Sequence, residues 1–211
     1  MLLEAHNIGF GYEKGAWTFR GVNLTLAPGE VVGLMGPSGC GKTTFGRILA
    51  GYEQPQEGRV MLTGYSPASS YQCVQMVFQH PEKAVNGRWR MHRILTEGGT
   101  PDEELLASLG IEEEWLRRWP NELSGGELQR FCVARALGPK TRFLIADEMT
   151  TMLDAITQAQ IWHAVLALAS KRNIGVLVIS HEQHLLQRIC DKIIDFRQLQ
   201  HRADATALSS N

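Results

Sequence analysis

The residues best suited to chemistry lie in a glycine-rich loop in the first quarter of the chain. The loop reads Gly-Pro-Ser-Gly-Cys-Gly-Lys-Thr-Thr, follows the apolar residues 30–35 and precedes an apolar stretch that ends at Leu49. A strand, such a loop and a helix place backbone N–H groups and a helix N-terminus around a phosphate group. We therefore expect the whole loop to bind a nucleotide: Gly36, Pro37, Ser38, Gly39, Cys40, Gly41, Lys42, Thr43 and Thr44.

Three side chains of this loop have separate expected roles. Lys42 would reach the β- and γ-phosphates as a point charge, and the Thr43 hydroxyl would bind the magnesium that bridges them. The Cys40 thiol, beside a helix N-terminus, could react with oxidants. We favour the alternative that Cys40 is a small side chain tolerated there.

Two carboxylates follow a run of apolar residues at 143–146, which is typical of a parallel strand covered on both faces. Ligands gather at the carboxyl edge of such sheets. Asp147 is expected to face the magnesium, and Glu148 to take a proton from a water that attacks the γ-phosphate. The alternative, a solvated acidic turn, is disfavoured because the phosphate loop requires an acidic partner.

A Leu-Ser-Gly-Gly-Glu segment precedes a helix predicted over residues 131–137. Ser124 is the expected N-cap, and Gly125 and Gly126 would expose N–H donors, which implies a second anion site. Taken alone, this segment would more often be an ordinary loop.

In this order, the three motifs resemble the ATP-binding subunits of ATP-binding cassette (ABC) transporters, over residues 1 to about 196. The resemblance implies ATP and Mg²⁺ as cofactors, and a head-to-tail pair of cassettes in which each nucleotide is shared. Ser124, Gly125 and Gly126 would then cover the partner's ATP, while residues 152–154 would cross the interface.

The same resemblance places further site residues. Tyr12 would stack on adenine, with Trp17 as a nearby competitor. The implied catalytic residues are Glu148, His181 and Gln79, and the implied magnesium ligands are Thr43, Gln79 and Asp147.

The predicted fold is α/β: a P-loop NTPase (RecA-like) core of parallel strands, an N-terminal antiparallel β subdomain and an inserted α-helical subdomain. Strands are expected at residues 2–8, 22–26, 30–35, 60–62, 74–78, 143–146 and 176–179, and the last four would share one core sheet. The ATP-binding domain would span 1–200, with its core at 1–80 and 138–200, the helical subdomain at 81–137, and a flexible tail at 201–211. Within 81–137, the helices are expected to break at Gly110 and Pro120.

Composition excludes several other classes of protein. The net charge of −1 argues against a nucleic-acid surface, and no apolar run reaches the ~18 residues that cross a bilayer. The four cysteines show no Cys-x-x-Cys spacing, so neither a zinc site nor a disulfide framework is indicated. His181 and His184 lack the His-Glu-x-x-His pattern of a zinc helix.

The sequences of residues 147–160 and 77–88 resemble those of the peptide and nickel importer branch of the family. This implies membrane-spanning permease subunits, a second cassette that is identical or different, no nucleic acid, and a peripheral place on the cytoplasmic face of the membrane. We expect no iron–sulfur cluster. The alternatives are a non-transport ABC ATPase acting on nucleic acid or ribosomes, a small-molecule kinase, and a cassette that binds ATP without hydrolysing it; the substrate stays open.

Overall fold

A computed structural model describes residues 1–13, 15–64, 73–97, 99–100 and 102–200. The predicted tail at 201–211 lies outside these residues. Among them, no helix is both long enough and apolar enough to span a membrane.

Five parallel strands form the central sheet, in the order β5-β6-β7-β3-β8. Three of them, β3, β6 and β7, consist almost entirely of apolar residues and are buried, which is why a continuous apolar run predicted them. Their bounds are Val31–Met35 (β3), Val74–Val77 (β5), Phe143–Asp147 (β6), Gly175–Ile179 (β7) and Lys192–Asp195 (β8). The predicted α/β fold class is confirmed. The edge strand β8 was not predicted.

A second, antiparallel sheet holds Phe19–Leu26 (β2), Leu2–Phe10 (β1) and Glu57–Thr63 (β4), in that order. The strand expected at 60–62 was predicted to join the core sheet, and this is wrong: it starts at Glu57 and pairs antiparallel with β1 in the N-terminal sheet. Most of its side chains are partly or fully exposed. One wet face is tolerated in antiparallel sheets but not in a doubly covered parallel sheet.

Helix α1 (Lys42–Leu49) packs between the two sheets. Phe45, on α1, is fully buried with Phe19 and Phe196, and their ring centroids lie 5.4–6.0 Å apart. Gly46 allows a close approach to the parallel sheet, because a Cβ there would lie 2.9 Å from Ile179 Cδ1. The start of α1, and with it the phosphate loop, is therefore fixed relative to the ends of the parallel strands.

The segment between β5 and β6 contains helices and no strand among its described residues. The α-helices are Met91–Thr96 (α2), Glu103–Ser108 (α3) and Gly125–Ala136 (α4), with 3₁₀ turns at Pro81–Lys83, Glu113–Arg117 and Pro120–Glu122. The prediction that the helix after Leu-Ser-Gly-Gly-Glu begins at residue 131 is wrong: α4 begins at Gly125. The cause is a capping box, in which Ser124 and Glu127 satisfy each other's backbone N–H groups.

Two described ion pairs join helix α3 to α5 (Ala155–Arg172), Lys171 with Glu104 and Arg172 with Asp102. Asp102 accepts hydrogen bonds from the N–H groups of Glu104 (3.0 Å) and Leu105 (3.2 Å) and forms an ion pair with Arg172. Partial burial acts to raise the pKa of Asp102, but these donors and the guanidinium hold it below its usual value. The last helix, Gln183–Ile189 (α6), precedes β8.

Candidate active site

The loop between β3 and α1 has the backbone that an anion cradle needs. Gly39 and Gly41 have φ angles of 78° and 102°, in the left-handed region that favours glycine. No described side chain caps α1 at Gly41, so its first N–H groups are available to an anion. Lys42 is 7% exposed, and its Nζ donates to the carbonyl oxygens of Gly36 (2.8 Å) and Pro37 (2.9 Å). Phosphate oxygens would replace these carbonyls as acceptors.

The other side chains of the loop do not change this arrangement. Cys40 is partly exposed, and its Sγ lies 3.9 Å from Lys42 Nζ. Thr44 is buried. That Cys40 is merely tolerated stays a prediction.

Thr43 and Asp147 meet although they are 104 positions apart in the chain. The Thr43 hydroxyl donates to Asp147 Oδ1 at 3.0 Å, which joins the start of α1 to the end of β6. Burial raises the pKa of Asp147 to about 6, the neighbouring Glu148 also acts to raise it, and the Thr43 hydroxyl acts to lower it. A hydroxyl and a desolvated carboxylate beside an anion cradle are oxygen ligands that suit Mg²⁺.

Glu148 and His181 form a second pair at the ends of neighbouring strands. Glu148 has a φ of 47°, and its N–H donates to the Ile179 carbonyl at 2.9 Å. A positive φ in a residue that is not glycine costs ~1–3 kcal/mol and concentrates at functional sites. Here it turns the carboxylate out of the strand direction, and Oε1 lies 3.1 Å from His181 Nδ1.

A cavity of about 250 Å³ opens beside Thr43 and Asp147. Gln79, two residues beyond the end of β5, lines it, so the structure brings together the three residues expected to bind magnesium. The full lining is Thr43, Arg47, Phe78, Gln79, His80, Lys83 and Asp147.

The two aromatic candidates for adenine lie on one loop and share a cavity of about 320 Å³. Tyr12 is 66% exposed, and its hydroxyl is 2.7 Å from Thr44 Oγ1, at the start of α1. Trp17 is less exposed, packs near Gly9, and has the Arg20 guanidinium 4.8 Å above its ring. The freer ring beside the phosphate loop favours Tyr12.

Ser124, Gly125 and Gly126 lie apart from the other site residues. None of the described hydrogen bonds joins them to the phosphate loop, and a Cβ at Gly125 would meet no atom within 4 Å. Gly126 is close to Leu153 and Thr157, near the start of α5. The N–H groups of Gly125 and Gly126, which the capping box leaves without a described partner, are available to a ligand that the chain's own loop does not hold.

Residues 19–151, more than half of the chain, match the family model described as ABC transporter. The chain belongs to this family. As an ABC ATP-binding domain it binds ATP and hydrolyses it. The membership agrees with the resemblance seen in the three motifs.

Similar proteins agree on this family. The chain is 34% identical, over 206 aligned residues, to the nickel import system ATP-binding protein NikE of Staphylococcus aureus strains bovine RF122 / ET3-1 and USA300, covering 92% of this chain and 85% of theirs. It also resembles the dimeric bacterial ABC transporter cassette MJ0796 (TM-score 0.77, 25% identity, 92% and 93% covered). A solved ATP-binding subunit of an ABC transporter has the same fold (TM-score 0.78, 22% identity, 92% and 85% covered).

Sequence reasoning missed three residues of this ABC domain that contact or line the site. The Gln56 side chain bonds both backbone groups of Gly11 (2.7 and 3.1 Å), which fixes the loop that carries Tyr12. Arg47 lines the cavity near Asp147, and Gln129 lies buried in α4. None of the three left a clear sequence signal, since Gln129 lies beside Arg130, another polar residue, between the apolar Leu128 and Phe131.

Proposed function

We propose that this chain is the ATP-hydrolysing subunit of an ABC importer and that it works as one of two cassettes that clamp ATP. The observation that carries the proposal is the division of the site. Thr43 of the phosphate loop, Gln79 and Asp147 line one cavity, whereas Ser124 opens α4 with no described hydrogen bond to that loop. A second cassette would supply its own α4 N-terminus to this chain's nucleotide.

In this proposal each residue acts on the γ-phosphate or its water. Lys42 and the loop N–H groups hold the phosphates, and Tyr12 holds the adenine. Thr43, Asp147 and Gln79 would hold magnesium, which would neutralise charge at the phosphates. Glu148 takes the proton of the water whose oxygen attacks the γ-phosphorus as the bond to the β-γ bridging oxygen breaks.

His181 lies close enough to Glu148 to orient its carboxylate, or to reach the γ-phosphate once the pair separates.

ATP stabilises a closed pair of cassettes in this proposal, because the negative γ-phosphate joins the loop of one chain to the α4 N-terminus of the other. Hydrolysis and phosphate release remove this link.

Closure would be passed to permease subunits at a groove of about 280 Å³ between β5 and α4. Tyr52 stands at this groove, 58% exposed, with its ring 5.4 Å from that of Phe78, which precedes Gln79. A permease segment that docks here would contact Tyr52. The Tyr52 ring packs against Phe78, the residue before the proposed metal ligand Gln79. In this proposal the chain is a peripheral subunit on the cytoplasmic face of the membrane.

Nickel is the proposed substrate, on the strength of the relatives named as nickel import proteins, with peptides as the competing class. A permease complex purified with this chain should show ATPase activity that nickel, delivered by its binding protein, raises several-fold. Stimulation by peptides instead would move the chain to the peptide importers. Recovery of nucleic acid or ribosomes in place of permease would overturn the importer proposal.

The catalytic assignment is tested by Glu148→Gln, with Glu103→Gln on exposed α3 as the matched control. General-base catalysis contributes about 10²- to 10⁴-fold, so hydrolysis should fall by that factor while ATP binding persists and a dimer accumulates with ATP. The control should keep wild-type turnover. Near-normal hydrolysis by Glu148→Gln would contradict the assignment.

A further inference from the structure

Gln129 is a buried polar residue for which folding stability gives no reason. It lies on α4 and is 1% exposed, among the apolar Leu128, Phe131 and Cys132. Its Nε2 donates to the Phe78 carbonyl at 3.1 Å, while its Oε1 is buried without a hydrogen-bond partner among the described residues. A buried acceptor left unsatisfied costs ~1–3 kcal/mol, which exceeds the ~0.5–1.5 kcal/mol that one hydrogen bond typically contributes.

The Gln129 hydrogen bond is one of three contacts in a constant register. Gln129 Nε2 reaches the carbonyl of Phe78, Cys132 Sγ that of Pro81 (3.9 Å) and Arg135 that of Ala84 (2.8 Å). The partners are 51 positions apart each time, and the three α4 residues are spaced i, i+3, i+6 along one face of the helix. Residues 78–84 therefore follow the helix α4 as a side-by-side segment.

This segment contains Gln79 and connects it to both halves of the site. Gln79 lines the cavity that is also lined by Thr43 and Asp147, while Ser124 caps the N-terminal end of α4, just over one turn before Gln129. A displacement of α4 would be transmitted to Gln79 through the Phe78 carbonyl, because this carbonyl belongs to the peptide group that joins Phe78 to Gln79. The Gln129 contact is the nearest of the three to the cavity.

We propose that Gln129 is a positioning residue that sets Gln79 according to the position of α4. The chain's own metal and γ-phosphate site is thereby linked to the surface that it offers to its partner's ATP. The free Oε1 takes a hydrogen bond when the segment shifts in the ATP-bound dimer. This inference rests on the role of Gln79 given under the proposed function.

The test replaces Gln129 by methionine, which has a similar shape and neither polar atom. Folding stability should be unchanged or higher, because a buried unsatisfied acceptor is removed. The KM for ATP should stay within about twofold, because the phosphate loop and Tyr12 are untouched, while kcat falls ~3- to 10-fold, equivalent to one hydrogen bond. The control is Gln160→Met on α5. It removes an exposed acceptor of Arg130, which is the neighbour of Gln129 on α4, and should leave kcat unchanged.

A double-mutant cycle with Gln79→Ala, in the full-length chain, tests separately the proposed role of Gln79 and the inference that Gln129 acts through it. If Gln129 acts through Gln79, adding Gln129→Met to Gln79→Ala should lower kcat little further. Wild-type kcat for Gln79→Ala alone would remove the proposed role of Gln79. If Gln79→Ala is impaired, the inference alone is overturned by any of three results: unchanged kcat in Gln129→Met, additive effects in the cycle, or a lowered Tm that accompanies the lost activity.

Discussion

Ionising the buried Asp147 carboxyl group should lower the free energy of unfolding, and the size of that effect follows from the pKa of Asp147. Burial raises the pKa from 3.8 to about 6, so the folded chain binds a proton more tightly than the unfolded chain. The stability cost of ionising Asp147 is therefore absent below pH ~3.8, grows as pH rises to ~6 and is constant above. At 1.36 kcal/mol per pKa unit it reaches about 3 kcal/mol at pH 7 and about half of that at pH 5.

Asp147→Asn removes this cost and keeps an oxygen that can accept the 3.0 Å hydrogen bond from Thr43. Without nucleotide or metal, in EDTA at pH 7, the variant should be more stable by up to about 3 kcal/mol. For a chain of this size, that corresponds to a rise in Tm of up to roughly 6–12 °C, with about half the gain left at pH 5. Hydrolysis of Mg-ATP should be lost, and Mg-ATP should raise the Tm of the wild type only.

The assay is thermal unfolding across pH 5–8, with Asp154→Asn as the control. Asp154 caps α5, and hydrogen bonds to the Thr157 N–H and hydroxyl and the Ile156 N–H lower its pKa, although slight desolvation opposes them. The same chemical change there should give no stabilisation. An Asp147→Asn variant no more stable than wild type at pH 7 would refute the reasoning, because the buried charge would then carry no cost.

The remaining predictions concern the nucleotide and the helical segment. Tyr12→Ala should weaken ATP binding ~5- to 100-fold, since base stacking contributes ~1–3 kcal/mol, while Trp17→Ala should change it little; a larger effect of Trp17 in a fluorescent ATP titration would exchange their roles. Gly41→Ala should abolish ATP binding and lower Tm, because its φ is 102° and a Cβ would lie 2.4 Å from Phe19; normal binding by the variant would count against the cradle geometry. Asp102→Ala should cost about 1 kcal/mol near neutral pH, measured by urea unfolding. Because the folded pKa of Asp102 is lowered, that difference should shrink as pH falls through it, and a pH-independent difference would contradict the ion pair.

Local signals in the sequence predicted the parts of the molecule that local chemistry determines. The glycine loop before Lys42 and the apolar strand before Asp147 each carry their structure within about ten residues. The start of α4 was placed too late because two glycines disfavour a helix interior, whereas Ser124 and Glu127 cap each other and allow the helix to begin there. The prediction that residues 60–62 join the core sheet was wrong, because strand partners are chosen by tertiary packing rather than by the local sequence.

The contacts between distant segments were beyond such reasoning. Gln56 bonds Gly11 across 45 positions and Gln129 bonds Phe78 across 51, and neither pair has a spacing that a helix or strand repeat would reveal. A buried glutamine predicts only that some partner exists. The identity of that partner follows from the fold, which must first bring α4 beside residues 78–84.

Three residues that break local rules lie at or beside the proposed site. Asp147 is an acid buried with a raised pKa, Glu148 has a left-handed backbone, and Gln129 keeps a buried oxygen without a described partner. At each position, a residue that followed the local rule should give the protein a higher folding stability. Each of the three lies at or beside the proposed site for ATP. Local consistency is expected wherever only folding is at stake. The three departures therefore support one ATP site more strongly than any of them does alone, and the stability gains expected from Asp147→Asn and Gln129→Met test that argument directly.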